Sequence, residues 1–104
     1  MWSSGGGIGT IWYGTGNVSG VNYQNTTGHA IDVVVTVNCT AGGGVPGEGT
    51  LYSWAAGQSP VALADTYGQC GYQDRIPLAA VIPNNNFYTV QTTTMTVSNW
   101  AELR

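Results

Sequence analysis

The sequence predicts an all-β fold, a single small antiparallel β-sandwich of jelly-roll-like architecture. Apolar and polar residues alternate with a period of two along Ile31, Val33, Val35 and Val37, the pattern of a strand with one buried face. Glycine makes up 16 of the 104 residues and separates short β-prone runs, and no segment has the 3.6-residue spacing of an amphipathic helix. Short strands between turn clusters are typical of a sandwich, with a barrel as the alternative.

The composition predicts a neutral surface rich in hydrogen-bonding groups. The charged residues are two Arg and five Asp or Glu, whereas Ser, Thr, Asn and Gln together number thirty-two. The chain has no lysine, and Arg75 is far in sequence from Arg104, so no basic patch is available for nucleic-acid phosphates. No apolar run reaches the roughly eighteen residues of a membrane-spanning helix. We therefore expect a soluble domain that does not bind nucleic acid.

The first nine residues differ in character from the rest of the chain. Segment 1–9 is too rich in glycine to order by itself, and we expect a flexible linker or the cut end of a longer chain. Residues 10–104 are predicted to form the sandwich. A β-prone stretch covers 8–13, and the turn-rich segment 14–20 follows it.

A hairpin is predicted next. Residues 21–23 form a short strand, 25–28 form a turn in which Gly28 supplies a positive φ, and 30–39 form a long strand. Because the two strands are joined by so short a turn, we expect them to pair with each other.

Loops and strands alternate in the second half. Gly and Pro dominate 41–49, which is predicted to be a surface loop, and a longer aromatic loop is predicted over 65–75. Residues 83–86 form a turn. The remaining strands are predicted over 50–54, 61–64, 78–82, 87–93 and 95–100.

Catalytic and metal-binding patterns are nearly absent from the sequence. His29 is the sole histidine and no nucleophile elbow is present, so a nucleophilic triad is not expected. Asp65 and Asp74 leave open a small glycoside hydrolase with paired carboxylates. No cofactor and no metal site are expected within one chain, although three copies of His29 meeting on a trimer axis would offer an ion site.

The two cysteines allow two interpretations. Cys39 and Cys70 are too far apart in sequence for a redox pair and too few for a metal knuckle. A disulfide between them would stabilise the domain by roughly 3–4 kcal/mol, because it closes a long loop of the unfolded chain. The alternative is two buried thiols that pack as small hydrophobic groups.

The candidate binding residues are aromatic and amide side chains in or near the predicted loops. Flat rings stack on sugar faces while Asn, Gln and Asp side chains hydrogen-bond the hydroxyl groups, so this mixture suits a neutral glycan. Tyr52 and Trp54 also fit a role in the core or in a subunit contact, whereas Tyr67 and Tyr72 are expected to be exposed. The predicted ligand-binding residues are Tyr52, Trp54, Tyr67, Gln69, Tyr72, Gln73 and Asp74.

Three segments together resemble a known family. They are Val21-Asn22-Tyr23-Gln24-Asn25-Thr26-Thr27-Gly28 with the valine-rich strand after it, Val81-Ile82-Pro83-Asn84-Asn85-Asn86-Phe87-Tyr88-Thr89-Val90, and Trp100-Ala101-Glu102-Leu103-Arg104. In order and spacing they are similar to the C-terminal tip domain of tailed-bacteriophage tail-fibre and tail-spike proteins. The resemblance extends from about Val21 to the last residue.

The resemblance implies a homotrimer at the distal end of a fibre on the virion, outside the cell, made in the bacterial host cytoplasm. It implies non-covalent recognition of a host-cell polysaccharide or outer-membrane receptor, through loops around Val45 and Tyr72. In such a trimer Trp100 and Arg104 would lie at subunit contacts, with Arg104 pairing with an acidic group of a neighbour. The alternatives are a purely structural trimerising cap, a membrane-piercing tip, and a monomeric carbohydrate-binding module.

Overall fold

The computed structural model describes residues 10–40, 46–69 and 74–104. All the regular structure in these ranges is β, and they include no helix long and apolar enough to span a membrane. The predicted linker 1–9 lies outside the described residues. The strands are β1 (Trp12–Gly14), β2 (Tyr23–Gln24), β3 (Ile31–Cys39), β4 (Pro46–Trp54), β5 (Val61–Gln69), β6 (Arg75–Ile82), β7 (Phe87–Thr93) and β8 (Met95–Leu103).

The strands form two antiparallel sheets of four. The first sheet has the order β1-β8-β3-β6, and the second has the order β2-β7-β4-β5. Within them β1 pairs with β8, β2 with β7, β3 with β6 and β4 with β5, so the strands form a nested set of pairs from the chain ends to its middle. This is a long double-stranded hairpin rolled into two layers, the jelly-roll arrangement. The predicted all-β sandwich is confirmed.

The core lies between the two sheets and is built on β3. Side chains along β3 alternate between buried and partly exposed over all nine residues, as the sequence pattern predicts. Trp100 contributes from β8 of the same sheet, and Leu51 and Val90 contribute from the facing sheet; all three are at most 1% exposed. The buried apolar residues form one continuous cluster, so the described residues share a single core.

The predicted hairpin between 21–23 and 30–39 is wrong. Strand β2 pairs with β7 in the second sheet, whereas β3 pairs with β6 and β8 in the first. The cause is the buried side chain of Asn25, whose Nδ2 donates to the carbonyls of Ile82 and Pro83 at 3.0 and 3.1 Å, as well as to His29 O at 2.8 Å. Since these contacts fasten the turn to the end of β6, the chain crosses between sheets there.

Two predicted loops are also partly wrong. Strand β4 begins at Pro46, so the Gly-rich segment 46–49 is strand; positions 41–45 lie outside the described residues. A Cβ on buried Gly49 would lie 3.5 Å from side-chain atoms of Leu78, Met95 and Val37, which shows how closely the backbone passes the core. Strand β5 continues to Gln69, so positions 65–69 of the predicted aromatic loop are strand, while 70–73 lie outside the described residues. The strand predicted over 87–93 is confirmed at both ends.

A buried polar cluster lies at the end of β8. The side chain of Glu102 is fully buried, and its Oε2 accepts hydrogen bonds from Tyr88 Oη at 2.6 Å and Trp100 Nε1 at 3.0 Å. Its Oε1 accepts from Arg104 Nε and Nη2 at 3.0 and 2.8 Å. Burial, together with the bond to this carboxylate, raises the pKa of the Tyr88 phenol well above its ordinary value.

Trp100 and Arg104 were expected at subunit contacts, but both make their contacts within one chain. Trp100 is 1% exposed in a single copy and therefore packs in the core rather than at a subunit contact. Arg104 pairs with Glu102 of its own chain, and its guanidinium lies 5.4 Å from the ring centroid of Tyr13.

Candidate functional site

The candidate site is a cleft on the outer face of the second sheet. Residues of β4 alternate across this sheet, so that Leu51 and Ser53 are buried toward the first sheet while Tyr52 and Trp54 are half-buried on the outer side. The two aromatic rings predicted from the sequence are therefore brought onto one face by the strand period. Neither belongs to the core.

Neighbouring strands complete the cleft. Thr89 lies directly opposite Tyr52 across the β4–β7 pair, and Gln91 follows two positions later on the same face. Asn22 comes from the segment before β2, and Pro60 comes from the segment before β5. Together with the two β4 aromatics these residues enclose an open cavity of about 300 Å³. This volume is at the lower end of the range for small-molecule sites and matches one or two sugar rings.

The polar groups of the cleft have hydrogen-bonding capacity to spare. The side-chain amides of Asn22 and Gln91 bond to no residue in the described part of the chain, and neither do the Tyr52 hydroxyl and the Trp54 indole N–H. Thr89 differs, because its hydroxyl donates to Val21 O at 2.8 Å. An amide offers both a donor and an acceptor, which is what the hydroxyl group of a neutral ligand requires.

The aromatic wall of the cleft is held in position by packing. The rings of Trp54 and Phe87 stack with centroids 5.8 Å apart and planes inclined by 19°. Phe87 lies directly opposite Trp54 in the β4–β7 ladder, so this stack is a cross-strand pair fixed by register. A ring that is already ordered loses little conformational freedom when a ligand binds against it.

A second cavity shares Trp54 with the first. It has a volume of about 460 Å³ and opens at the edge where β5 and β6 approach each other. Gln58 and Ser59 lie on one side of it, and the exposed side chains of Val61 and Val81 give it an apolar floor. Trp54 therefore lines both cavities.

The other predicted binding residues lie elsewhere. Tyr67 is on the same outer face and is 70% exposed, as expected, but it stands opposite Glu48, four residues along β4 from Tyr52 and hence about 13 Å away. Asp74 is exposed and lies just before β6, in the other sheet. Gln69 is the last residue of β5 and lies at the same end of the sandwich as Tyr67 and Asp74. The structure thus divides the described members of the predicted set between opposite ends of the sandwich.

Several residues of the predicted site and the predicted disulfide lie outside the residues that the structure describes. Tyr72, Gln73 and Cys70 lie outside the described residues, as do the loops around Val45 and Tyr72 that were expected to carry the receptor contact. Cys39 is disulfide-bonded, buried at the end of β3, and its backbone N–H donates to Asp74 O at 3.0 Å.

The ionisable groups considered for catalysis or metal binding are dispersed. Asp65 Oδ1 accepts a hydrogen bond from Thr50 Oγ1 at 2.7 Å on the second sheet, whereas its proposed partner Asp74 belongs to the first. Nδ1 of His29 lies 3.0 Å from Ala30 O beside the chain crossing. Ranges 10–40, 46–69 and 74–104 contain no group of three His, Cys, Asp or Glu residues placed to hold a metal ion.

Sequence reasoning missed four of the six residues that line the cleft: Asn22, Pro60, Thr89 and Gln91. They come from three distant segments, and only the pairing of β7 with β4, which no local pattern reveals, brings two of them beside Tyr52. Comparisons of the chain with protein families, curated proteins and solved structures found no match.

Proposed function

We propose that this domain recognises a neutral glycan of a host-cell surface by non-covalent binding, in the cleft between Tyr52, Trp54 and Gln91. The supporting observation is the chemistry of the cleft: an ordered aromatic wall lies beside the amides of Asn22 and Gln91, which have no partner in the described part of the chain, and none of the six described lining residues is charged. Stacking of a sugar face on Trp54 supplies apolar contact, while Asn22 and Gln91 select the pattern of hydroxyl groups.

The proposal extends to the setting of the domain. The three sequence segments that resemble phage fibre tips support a homotrimer on the distal end of a tail fibre or spike, where three copies of the cleft would act together. Linked sites raise the apparent affinity for a repetitive surface well beyond that of one site. Weak, reversible binding by each copy is therefore sufficient for attachment to a polysaccharide.

The test is binding of the purified chain to extracted host polysaccharide and to its oligosaccharides, followed by titration calorimetry or saturation-transfer NMR. Trp54→Ala and Gln91→Ala should each weaken binding about five- to tenfold, because each removes a contact worth about 1–1.5 kcal/mol. Tyr67→Ala is the matched control, since it removes an exposed ring from the same face outside the cleft.

Unchanged binding by the Trp54 and Gln91 variants, with far-ultraviolet circular dichroism like that of the parent, would remove the cleft from consideration. Loss of binding in Tyr67→Ala alone would instead locate the receptor contact at the opposite end of the sandwich. Absence of binding to any host polysaccharide would favour the structural cap. Release of shortened oligosaccharides would favour a hydrolase.

A further inference from the structure

The second cavity, which opens where β5 and β6 approach each other, contains a patch of exposed apolar side chains. Val61, Leu63 and Val81 are 59%, 42% and 48% exposed, and all three line it. Exposed apolar side chains gathered in one cavity of about 460 Å³ are typical of a binding site, whereas single ones scattered over a surface are not. The cavity therefore offers a ligand a patch of methyl groups.

Hydrogen-bonding groups share the cavity with this apolar patch. The side chains of Gln58, Ser59 and Asn86 line it, and none of them bonds to a residue in the described part of the chain. An amide side chain offers both a donor and an acceptor, and so does a hydroxyl group. None of the ten described lining residues is charged. This lining suits a neutral occupant that combines a donor, an acceptor and a small apolar group.

The second cavity adjoins the glycan cleft. Trp54 lines both of them. At the start of β5, Pro60 lines the cleft, while its chain neighbours Ser59 and Val61 line the second cavity. Consecutive Cα atoms are about 3.8 Å apart, so the next unit of a short oligosaccharide held in the cleft reaches the second cavity.

We propose that the second cavity is a subsite for an acetamido sugar, the next unit of the glycan held in the cleft. Its acetyl methyl packs against Val61, Leu63 and Val81, while its amide N–H and carbonyl bond to Gln58 and Asn86. This subsite rests on the proposed function, because one ligand occupies both cavities. A deoxy sugar would supply the methyl group but leave the amides without partners, and an acyl chain would bury them unpaired, which costs free energy.

The first test compares ligands that differ in one substituent. Chitotriose and cellotriose are both neutral and differ only in the acetamido group that replaces one hydroxyl on each ring. Saturation-transfer NMR with the purified chain should give its largest signal at the acetyl methyl, and chitotriose should bind at least about threefold more tightly, the factor expected for burying one methyl group. N-acetylgalactosamine against galactose repeats the comparison for the other common ring configuration.

The second test separates the two cavities by substitution. Val61→Thr keeps the shape of the side chain but replaces a methyl with a hydroxyl, and Gln58→Ala removes the amide. Each should weaken binding of the acetylated ligands about three- to fivefold and leave the unsubstituted ones within about 1.5-fold. Val18→Thr is the matched control, since Val18 is 52% exposed and lines neither cavity. Gln91→Ala should weaken both kinds of ligand by the same factor, because Gln91 lines only the cleft.

Equal affinities for the acetylated and unsubstituted ligands would overturn the subsite, as would a preference that Val61→Thr and Gln58→Ala both leave intact. Failure of every sugar tested to bind would also overturn it; binding of extracted host polysaccharide then reports separately whether the cleft recognises another glycan. A preference for the acetylated ligands that both variants reduce, and that Val18→Thr and Gln91→Ala leave unchanged, supports the subsite.

Discussion

Replacing Glu102 with Gln tests how much the buried carboxylate contributes to the fold. The substitution keeps the size of the side chain but removes its charge, and it turns one of its two acceptor oxygens into a donor. That donor must face either the Tyr88 and Trp100 donors or the Arg104 guanidinium. We expect the amide nitrogen to turn toward Arg104, because that side chain is 41% exposed and its guanidinium can instead bond to water.

The magnitude follows from the hydrogen bonds that lose their ionic partner. A hydrogen bond to a charged group contributes about 1.5–3 kcal/mol and a neutral one about 0.5–1.5 kcal/mol, so weakening the Tyr88 and Trp100 bonds costs about 2 kcal/mol. Loss of the ion pair with the partly exposed Arg104 adds less than about 1 kcal/mol. The free energy of unfolding should therefore fall by about 2–3 kcal/mol, which corresponds to a fall in Tm of about 10–20 °C in a domain of this size.

Thermal unfolding followed by circular dichroism or calorimetry measures this change directly. Glu48→Gln is the matched control, because Glu48 is an exposed acid on β4 and its replacement should alter stability by less than about 0.5 kcal/mol. Equal Tm values for Glu102→Gln and Glu48→Gln would show that the buried cluster contributes no net stability, contrary to the reasoning above.

Three further substitutions test other parts of the fold. Asn25→Ala should lower the free energy of unfolding by about 2–4 kcal/mol in urea titrations, because the carbonyls of Ile82 and Pro83 lose their donor; a change below 1 kcal/mol would contradict the role of the crossing turn. Gly49→Ala should be neutral or stabilising by about 0.5 kcal/mol, while Gly49→Val should cost about 1–3 kcal/mol, and equal effects would disprove the close approach. Above about pH 10 the unfolded chain loses the Tyr88 proton that the folded chain keeps, so the free energy of unfolding should fall as pH rises. In urea titrations at alkaline pH, Tyr88→Phe should reduce this dependence of the unfolding free energy on pH by about 1.4 kcal/mol per pH unit. An unchanged dependence would mean that Tyr88 ionises normally.

The strands that alternate between apolar and polar residues were predictable from the sequence. Strand β3 was predicted over 30–39 and is observed over Ile31–Cys39, because its alternation is uninterrupted. Strand β7 begins at Phe87 and ends at Thr93 as predicted, because Asn residues precede it and six of its seven residues are aromatic or β-branched. The segment at Gly47 and Gly49 was not, since glycine usually interrupts a strand. Here the space beneath Gly49 is filled by core side chains, and only the assembled sandwich shows this.

Long-range partners account for the remaining differences. The turn after β2 has the local chemistry of a hairpin, yet Asn25 finds its hydrogen-bond acceptors near Ile82, some sixty residues further along the chain. Tyr52 and Trp54, which line the cleft, were predictable as candidates, because an aromatic ring can stack on a sugar face. The amides that complete the cleft were not, because Asn and Gln are frequent throughout this sequence and only strand pairing selects among them.

The nested order of strand pairing has a consequence for folding kinetics. The β4–β5 pair closes a short connection, whereas β1 and β8 join opposite ends of the chain, with Trp12 opposite Leu103. Since the entropy cost of closing a loop rises with its length, the inner pair should form in the folding nucleus and the outer pair after the transition state. Substitutions in the cluster around Glu102 should then accelerate unfolding and leave the refolding rate nearly unchanged, so that this end of β8 determines the lifetime of the native domain.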